Sequence, residues 1–420
     1  MNRQARRVLI VAYHYPPVAG SSGVQRTLKF TAYLRDFGWE PMVLTVHPRA
    51  YERVTDGQMA EIPEGMVIRR AQAWDSARHL SIAGRYPNWL ALPDRWCSWW
   101  PHGVWTGWRM IRRWRPQALM STFPMASAHL IGHTLQRFSG LPWIADFRDN
   151  MTEPGYPPDP RMYRFNVRLE SRAVHACTRA LFTTRGALQM YAARYPDVRP
   201  ERWAVIQNGY DEENFSRAET GLAAAAAATD APLRLIHSGI LYPAERDPTA
   251  FFTAVARLKA TGAVDARRLQ IVLRATGSDA FYAPRLAAAG IDDIVRLEPP
   301  VGYEQALREM MQADGLLLFQ ATMANHQIPA KLYEYMRAGR PILALTDPDG
   351  DTAAAMRAAR TGVICKLADA DDITAQLEAF VDGLRSGSAQ GTARAEAERH
   401  SRRARTAELA ALLNDVATAR

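Results

Sequence analysis

Residues 328–344 run Ile328-Pro329-Ala330-Lys331-Leu332-Tyr333-Glu334-Tyr335-Met336-Arg337-Ala338-Gly339-Arg340-Pro341-Ile342-Leu343-Ala344. They read as a loop, a short helix and a strand. Pro329 suits the first helical position and Gly339 the C-terminal stop. Leu332, Tyr335, Met336 and Gly339 recur at i, i+3, i+4, i+7, so that face packs inward. Lys331 and Glu334 are three apart and share another face. A lysine in a first helical turn sits against the positive end of the helix dipole, which is mildly unfavourable. An anion bound at that end would offset it, and a carboxylate one turn on would accept hydroxyl hydrogens. A nucleoside diphosphate with its ribose offers both groups. A solvated Lys–Glu pair on a surface helix would use the same residues, so the surrounding chain has to decide.

Upstream of this stretch, Leu233-Arg234-Leu235-Ile236-His237 opens a series of strands that continues near 269–274, 293–298, 315–319, 341–345 and 362–365. Helical patterns fall between them near 248–261, 281–290, 303–312, 329–338, 350–359 and 370–384. Alternation of this kind predicts a doubly wound parallel sheet. Asp247-Pro248 is a helix start, with Asp as N-cap and Pro at the first position. Arg246 then lies just outside that helix and just past the strand end at 239–241. Arg246 and Lys331 are both placed at carboxyl strand ends of one sheet, where ligands bind. Two cations beside helix starts form a pyrophosphate clamp, with Gly239 beside it and Glu334 on the ribose. Asp347-Pro348-Asp349-Gly350-Asp351-Thr352 has Asp-x-Asp spacing, but turn and cap chemistry accounts for the same residues.

The first half repeats the pattern. Val8-Leu9-Ile10-Val11-Ala12 is an apolar run, the signature of a strand buried on both faces. Gly20-Ser21-Ser22-Gly23 follows, then a helical pattern stopped by Gly38. Strand, glycine-rich loop and helix is a phosphate-cradle layout. The glycines lack GxGxxG spacing, so a flexible turn is the competing reading; Arg26 in the first helical turn favours an anion. Further strands fall near 41–46, 66–69, 117–122, 143–147, 179–183 and 203–206. Three segments sit at carboxyl strand ends: 20–23, 121–129 and Asp146-Phe147-Arg148-Asp149. The last is either a local Asp/Arg network fixing a loop or an acceptor site. His129 is either structural or functional.

At 420 residues the chain is comfortable for two domains. We expect an N-terminal domain over 1–215, a linker at 216–232 that includes the run Ala223 to Ala228, a second domain over 233–393 and a C-terminal helix in 394–420. Hydrophobic content of 48% and charged content of 23% are those of a globular protein. Fifty-two Lys plus Arg against 43 Asp plus Glu, a net charge of +9, favours an anionic partner. Cys97, Cys177 and Cys365 have no zinc or disulfide spacing, and the apolar run at 8–12 is too short for a signal peptide. A cytoplasmic protein without a resident cofactor or metal is expected, peripheral at the inner face of the cell membrane if it meets lipid.

Residues 85–116 stand apart. They hold Trp89, Trp96, Trp99, Trp100, Trp105, Trp108 and Trp114 with Arg85, Arg95, Arg109, Arg112, Arg113 and Arg115 against Asp94. Tryptophan and arginine together suit an anionic membrane surface; a Trp-rich core helix with a basic outer face is the alternative. No RNP, KH or zinc-knuckle pattern points to nucleic acid, and none is expected as a partner.

The stretch 328–335 resembles the nucleotide-sugar loop and helix of retaining family 4 glycosyltransferases, in which a helix glutamate contacts the donor ribose. Tyr-His-Tyr-Pro-Pro at 13–17, Thr-Leu-Lys-Phe at 27–30, Phe-Gly-Trp-Glu-Pro at 37–41, Pro-Trp-Ile-Ala-Asp-Phe-Arg-Asp at 142–149, Gln-Asn-Gly-Tyr-Asp at 207–211 and Glu-Arg-Asp-Pro at 245–248 extend the resemblance over nearly the whole chain. They look like a branch linked to polysaccharide and surface-glycan assembly. The resemblance implies a GT-B architecture, two Rossmann-like α/β domains with doubly wound parallel sheets facing across a cleft. It implies a metal-independent, retaining hexosyltransferase with a nucleotide diphosphate sugar as co-substrate and a glycan or lipid-linked acceptor. Arg246, Lys331, Glu334 and His129 would carry catalysis. Gly20, Gly23 and Gly239 would join Arg246, Lys331 and Glu334 on the donor, and Asp146, Arg148 and Asp149 would hold the acceptor. Many relatives carry a second glutamate eight positions before the first-named one, on the transferred sugar; here that position is His326. A nucleotide-sugar 2-epimerase on the same fold and a non-catalytic partner subunit are the rival readings.

Overall fold

The computed structural model describes residues 6–19, 23–220, 222 and 231–418. The chain forms two compact units, one of Met1–Gln207 with Arg402–Arg420, the other of Asn208–Ser401.

The first unit is built on β1 (Arg6–Ala12), β2 (Trp39–Val46), β3 (Val67–Ala71), β4 (Ala118–Thr122), β5 (Trp143–Phe147), β6 (Arg179–Phe182) and β7 (Trp203–Val205). They pair in the order β3-β2-β1-β4-β5-β6-β7, all parallel. Val8 to Ala12 are buried throughout, as a strand covered by helices on both faces requires. The order reverses between β1 and β4, the switch point where a crevice opens beyond the strand ends.

The second unit repeats the plan with β8 (Leu233–Ser238), β9 (Leu269–Arg274), β10 (Val295–Glu298), β11 (Gly315–Phe319), β12 (Ile342–Leu345) and β13 (Val363–Cys365). Their order is β10-β9-β8-β11-β12-β13, again all parallel. The switch point lies between β8 and β11. Both units are therefore doubly wound α/β, as the alternating pattern predicts.

The helix of the opening stretch runs Ala330–Ala338. Pro329 flanks it instead of starting it. Gly339 adopts the left-handed conformation at φ +69° and its N–H closes on the Met336 carbonyl. Leu332, Tyr335 and Met336 are fully buried. Gly339 itself is exposed, because the C-cap turns off the helical face that the spacing extrapolates through it.

Two boundaries differ from the sequence expectation. A break at 215 would cut the helix Glu212–Thr220, which belongs to the second unit. Buried Arg337 donates to Glu212 and Glu219 at 2.6 and 2.8 Å, and these bonds tie that helix to Ala330–Ala338. The alanine run from 223 lies outside the described residues. The expected single tail helix is two, Arg394–Glu398 and Arg402–Thr418. No Pro or Gly marks the break. The chain leaves the second unit there, with the His400 carbonyl accepting from Tyr210 N–H at 3.2 Å. Leu409, Leu413 and Val416 of the last helix are buried with Val8 and Ile10 of β1 in the first unit.

The Trp-rich segment forms the helix Trp99–Trp114. Gly103 and Gly107 face the helix Ala126–Ser139, and a Cβ at either would lie 2.6 Å from Ile131 Cδ1 or Leu135 Cδ1. A methyl group at either position would push those side-chain ends aside. Trp99 is fully buried and Trp96 donates its indole N–H to the Ala50 carbonyl at 3.1 Å. Those two tryptophans serve the core, while Trp105 is 63% exposed.

Candidate active site

The residues that matter most converge at the carboxyl ends of β8 and β11. Lys331, in the first turn of Ala330–Ala338, reaches back over the end of β8. Gly239, the residue after β8, has φ +127°, and a Cβ there would lie 2.5 Å from Lys331 Nζ. The backbone conformation there favours glycine, and an added side chain would displace the ammonium that lies against it.

Beneath them is His237, fully buried in β8. Its Nδ1 lies 2.9 Å from the Leu317 carbonyl on β11. A carbonyl only accepts, so Nδ1 carries the proton. Burial, with Lys331 next in importance, holds the imidazole pKa well below its ordinary value, so the ring is neutral. Its bare Nε2 faces Lys331 Nζ at 3.5 Å. One imidazole thus spans the switch point and aims the ammonium.

Arg246 closes a turn through its N–H to the Tyr242 carbonyl at 2.8 Å, and its guanidinium lies 5.8 Å from the Tyr242 ring centre. Its Nε is buried with no hydrogen-bond partner among the described residues. Burial, then the charge of Arg246, pushes the Lys331 pKa down to about 7, with Glu334 opposing. The two cations therefore act on each other, and an anion would relieve both. Glu334, one turn on, accepts from Tyr303 O–H at 2.7 Å. The Tyr335 hydroxyl oxygen accepts from Ser238 N–H at 3.1 Å, tying the helix to the end of β8. His326 lies exposed in the loop before the helix. Lys331, Arg246, Glu334 and Gly239 are thus brought together as expected. Asp247 accepts from Thr249 N–H at 3.0 Å and caps one position further out than predicted.

In the first unit, Asp146 is buried and bound bidentately by Arg26 at 3.1 and 3.2 Å, with Thr122 O–H donating at 3.0 Å. Arg26 also donates to the Ile206 and Gln207 carbonyls at 2.9 and 3.0 Å. This network fastens the helix Gly23–Tyr33 to the ends of β5 and β7. It is the local Asp/Arg network among the two readings of 146–149, and it occupies the Arg26 that sequence assigned to an anion.

Arg148 and Asp149 differ from Asp146. Asp149 is exposed. Arg148 Nη1 donates to the Gly23 carbonyl at 2.8 Å, while its Nε is buried without a partner among the described residues. His14 Nδ1 is also buried and unpartnered, and both side chains lie 3.0 Å from a Cβ built on Gly23. Gly20 lies outside the described residues. His129 is fully buried, with Nδ1 2.8 Å from Ser121 Oγ and its ring against Phe123, Trp143 and Phe147. Burial lowers its pKa to about 4. That is the environment of a core histidine, with no face open to a substrate.

Sequence reasoning passes over His237, Tyr303 and Tyr335. His237 reads as a strand residue, and its role depends on β8 pairing with β11, far away in sequence. Tyr303 opens a helix and gives no signal of its own.

Residues 22–209 match the model of the glycosyl transferase 4-like domain. Those residues carry a glycosyl transferase 4-like domain. A D-inositol 3-phosphate glycosyltransferase of Streptomyces scabiei is 25% identical over 405 residues, 91% of this chain and 84% of the relative. Among solved structures, sucrose-phosphate synthase from Thermosynechococcus elongatus aligns over 99% of this chain and 100% of its own, at 12% identity and TM-score 0.66. HepE of Anabaena, solved in complex with UDP, aligns over 98% and 100%, at 13% identity and TM-score 0.65. At such identities the structures speak for the fold alone, and that fold is GT-B. Domain and curated relative agree on a glycosyltransferase.

Proposed function

We propose that this glycosyltransferase moves a hexosyl group from a nucleotide diphosphate sugar to a glycan acceptor carried on a lipid. Arg246 and Lys331 grip the diphosphate, Glu334 takes the ribose hydroxyls, and Gly239 lets the ammonium lie against the backbone. As the bond from the anomeric carbon to phosphate oxygen breaks, charge grows on the leaving diphosphate. Two fixed cations stabilise that charge without reorganising. They do the work that a divalent metal would do, so metal independence is part of the proposal, as is retention of configuration, which rests on the family resemblance. Asp149 and Arg148 of the first unit serve the acceptor. HepE binds UDP, and that supports a nucleotide donor here.

The convergence of Lys331, Arg246 and His237 at the end of β8 carries this reading. Calorimetry of UDP with the wild-type protein and Lys331→Ala tests it. The expected result is binding by the wild type and loss by at least tenfold in the variant, with unfolding unchanged or later. Equal affinity would place the donor elsewhere. Incubating nucleotide sugars without acceptor separates transfer from epimerisation, since sugar isomerised under those conditions would overturn transfer.

A further inference from the structure

A broad groove on the first unit takes no part in this chemistry. Its volume is about 1050 Å³, and it is lined by Arg69, Trp105, Trp108, Arg109, Met110, Arg112, Arg113 and Trp114 with Thr106. All belong to the first unit, and none is a donor or acceptor residue named above. No carboxylate is among them.

The charge is uncompensated. Among the described residues, none of Arg69, Arg109, Arg112 and Arg113 has an ion-pair partner. Placement at a helix C-terminus accounts for Arg112 and Arg113 through the dipole. It does not account for Arg69, which is on β3, or for Arg109 in mid-helix.

Each of these guanidinium groups instead lies over an indole. Arg69 and Arg113 sit 5.1 and 5.2 Å from the Trp114 ring centre, Arg112 5.9 Å from Trp108, and Arg109 6.0 Å from Trp105. Stacking of this kind holds a cation in place while leaving its outer face free for an anion. The helix Trp99–Trp114 turns Trp99, Gly103, Gly107, Met110 and Ile111 into the core, so its outer side is a ladder of indole and guanidinium. Indole is the side chain that gains most at the boundary of hydrocarbon and headgroup, and arginine pairs with the phosphates there.

We infer that this ladder docks the protein on the headgroup layer of an anionic phospholipid bilayer. Nucleic acid would use the same charge, but one exposed indole, Trp105, beside the half-buried Trp108 and Trp114, without a base-reading pattern, fits lipid better. The inference stands independently of the donor site. It also narrows the Trp-rich segment to its outer residues, since Trp96 and Trp99 serve the core.

Co-sedimentation of the full chain with phosphatidylcholine vesicles, with and without phosphatidylglycerol, tests it. The protein should partition onto the anionic vesicles alone and be released by salt. The combined Arg109→Gln, Arg112→Gln and Arg113→Gln variant should bind roughly a hundredfold more weakly, at about fivefold per arginine. Arg267→Gln with Arg296→Gln, exposed in the second unit, should bind as the wild type does. Trp105→Ala, at a side chain mostly in solvent, gives the same readout if the triple variant unfolds. Equal binding to neutral vesicles, or no loss in the groove variants, would overturn the inference. So would binding of an oligoribonucleotide through the groove with no vesicle partition.

Discussion

Lys331→Met should stabilise the free protein while destroying donor binding. An ammonium whose pKa has fallen from 10.5 to about 7 is held at a cost of about 5 kcal/mol below pH 7. The residue is only partly buried, so solvent screening trims that figure. Methionine also leaves His237 Nε2 without its partner, which costs about 1 kcal/mol or more. The net gain is about 1–3 kcal/mol, or a rise of several degrees in the unfolding midpoint at about 2–4 °C per kcal/mol. Between pH 7 and 10.5 the unfolded chain holds this proton and the folded chain does not. Wild-type stability therefore rises with pH in that window. The advantage of Lys331→Met is full below about pH 7 and shrinks toward pH 10.5. Binding has the opposite sense, because a diphosphate restores the charged form. Above pH 7 UDP is fully ionised, and its wild-type Kd should rise about fiftyfold from pH 7 to pH 9 if the bound lysine returns to its ordinary value. In Lys331→Met the Kd should be weak and flat over that range. Calorimetric titrations and thermal melts at pH 7, 8 and 9 check both halves. A destabilised variant with unchanged Kd would show that Lys331 serves the fold, and a flat wild-type profile would show that its proton is not coupled to the ligand.

Glu334→Gln should lower nucleotide affinity by about tenfold while leaving the melting profile unchanged, and Tyr303→Phe, which frees Glu334 from one donor, should cost less; titration with UDP compares them with free phosphate, on which neither should act. Gly239→Ala forces a side chain into φ +127° and against Lys331 Nζ, so it should weaken UDP binding more than Glu334→Gln does and lower the melting temperature as well. Arg26→Met leaves the Asp146 carboxylate buried and without its cation, at a cost of about 3–5 kcal/mol measurable by urea unfolding; an effect below 1 kcal/mol would show that the network is ornamental. His129→Phe keeps an aromatic ring in an aromatic pocket, so turnover should survive apart from a modest loss of stability, whereas loss of turnover in a folded protein would restore it to the chemistry.

Two histidines show how far the sequence could be read. His129 and His237 are both fully buried, and both stand in amphipathic or apolar stretches where a lone imidazole has no meaning of its own. The sheets were legible because parallel strands are continuous apolar runs: β5, β9 and β11 match their predicted spans. Lys331 was legible because a cation in a first helical turn is out of place, and Gly239 because it follows a strand end. What could not be read was adjacency across the switch point. β8 and β11 are separated by two strands in sequence and hydrogen-bonded in space, and that pairing places the Leu317 carbonyl under His237 Nδ1, fixes the tautomer and leaves Nε2 for Lys331. His129 meets Ser121 and three aromatic rings instead, with no ionised group within hydrogen-bond reach of it among the described residues. The same residue type is a positioning group in one sheet and core packing in the other, and the difference lies wholly in neighbours that strand order supplies. A sequence can propose cations and glycines by their local misfit. It cannot propose a neutral partner that fits its own strand well.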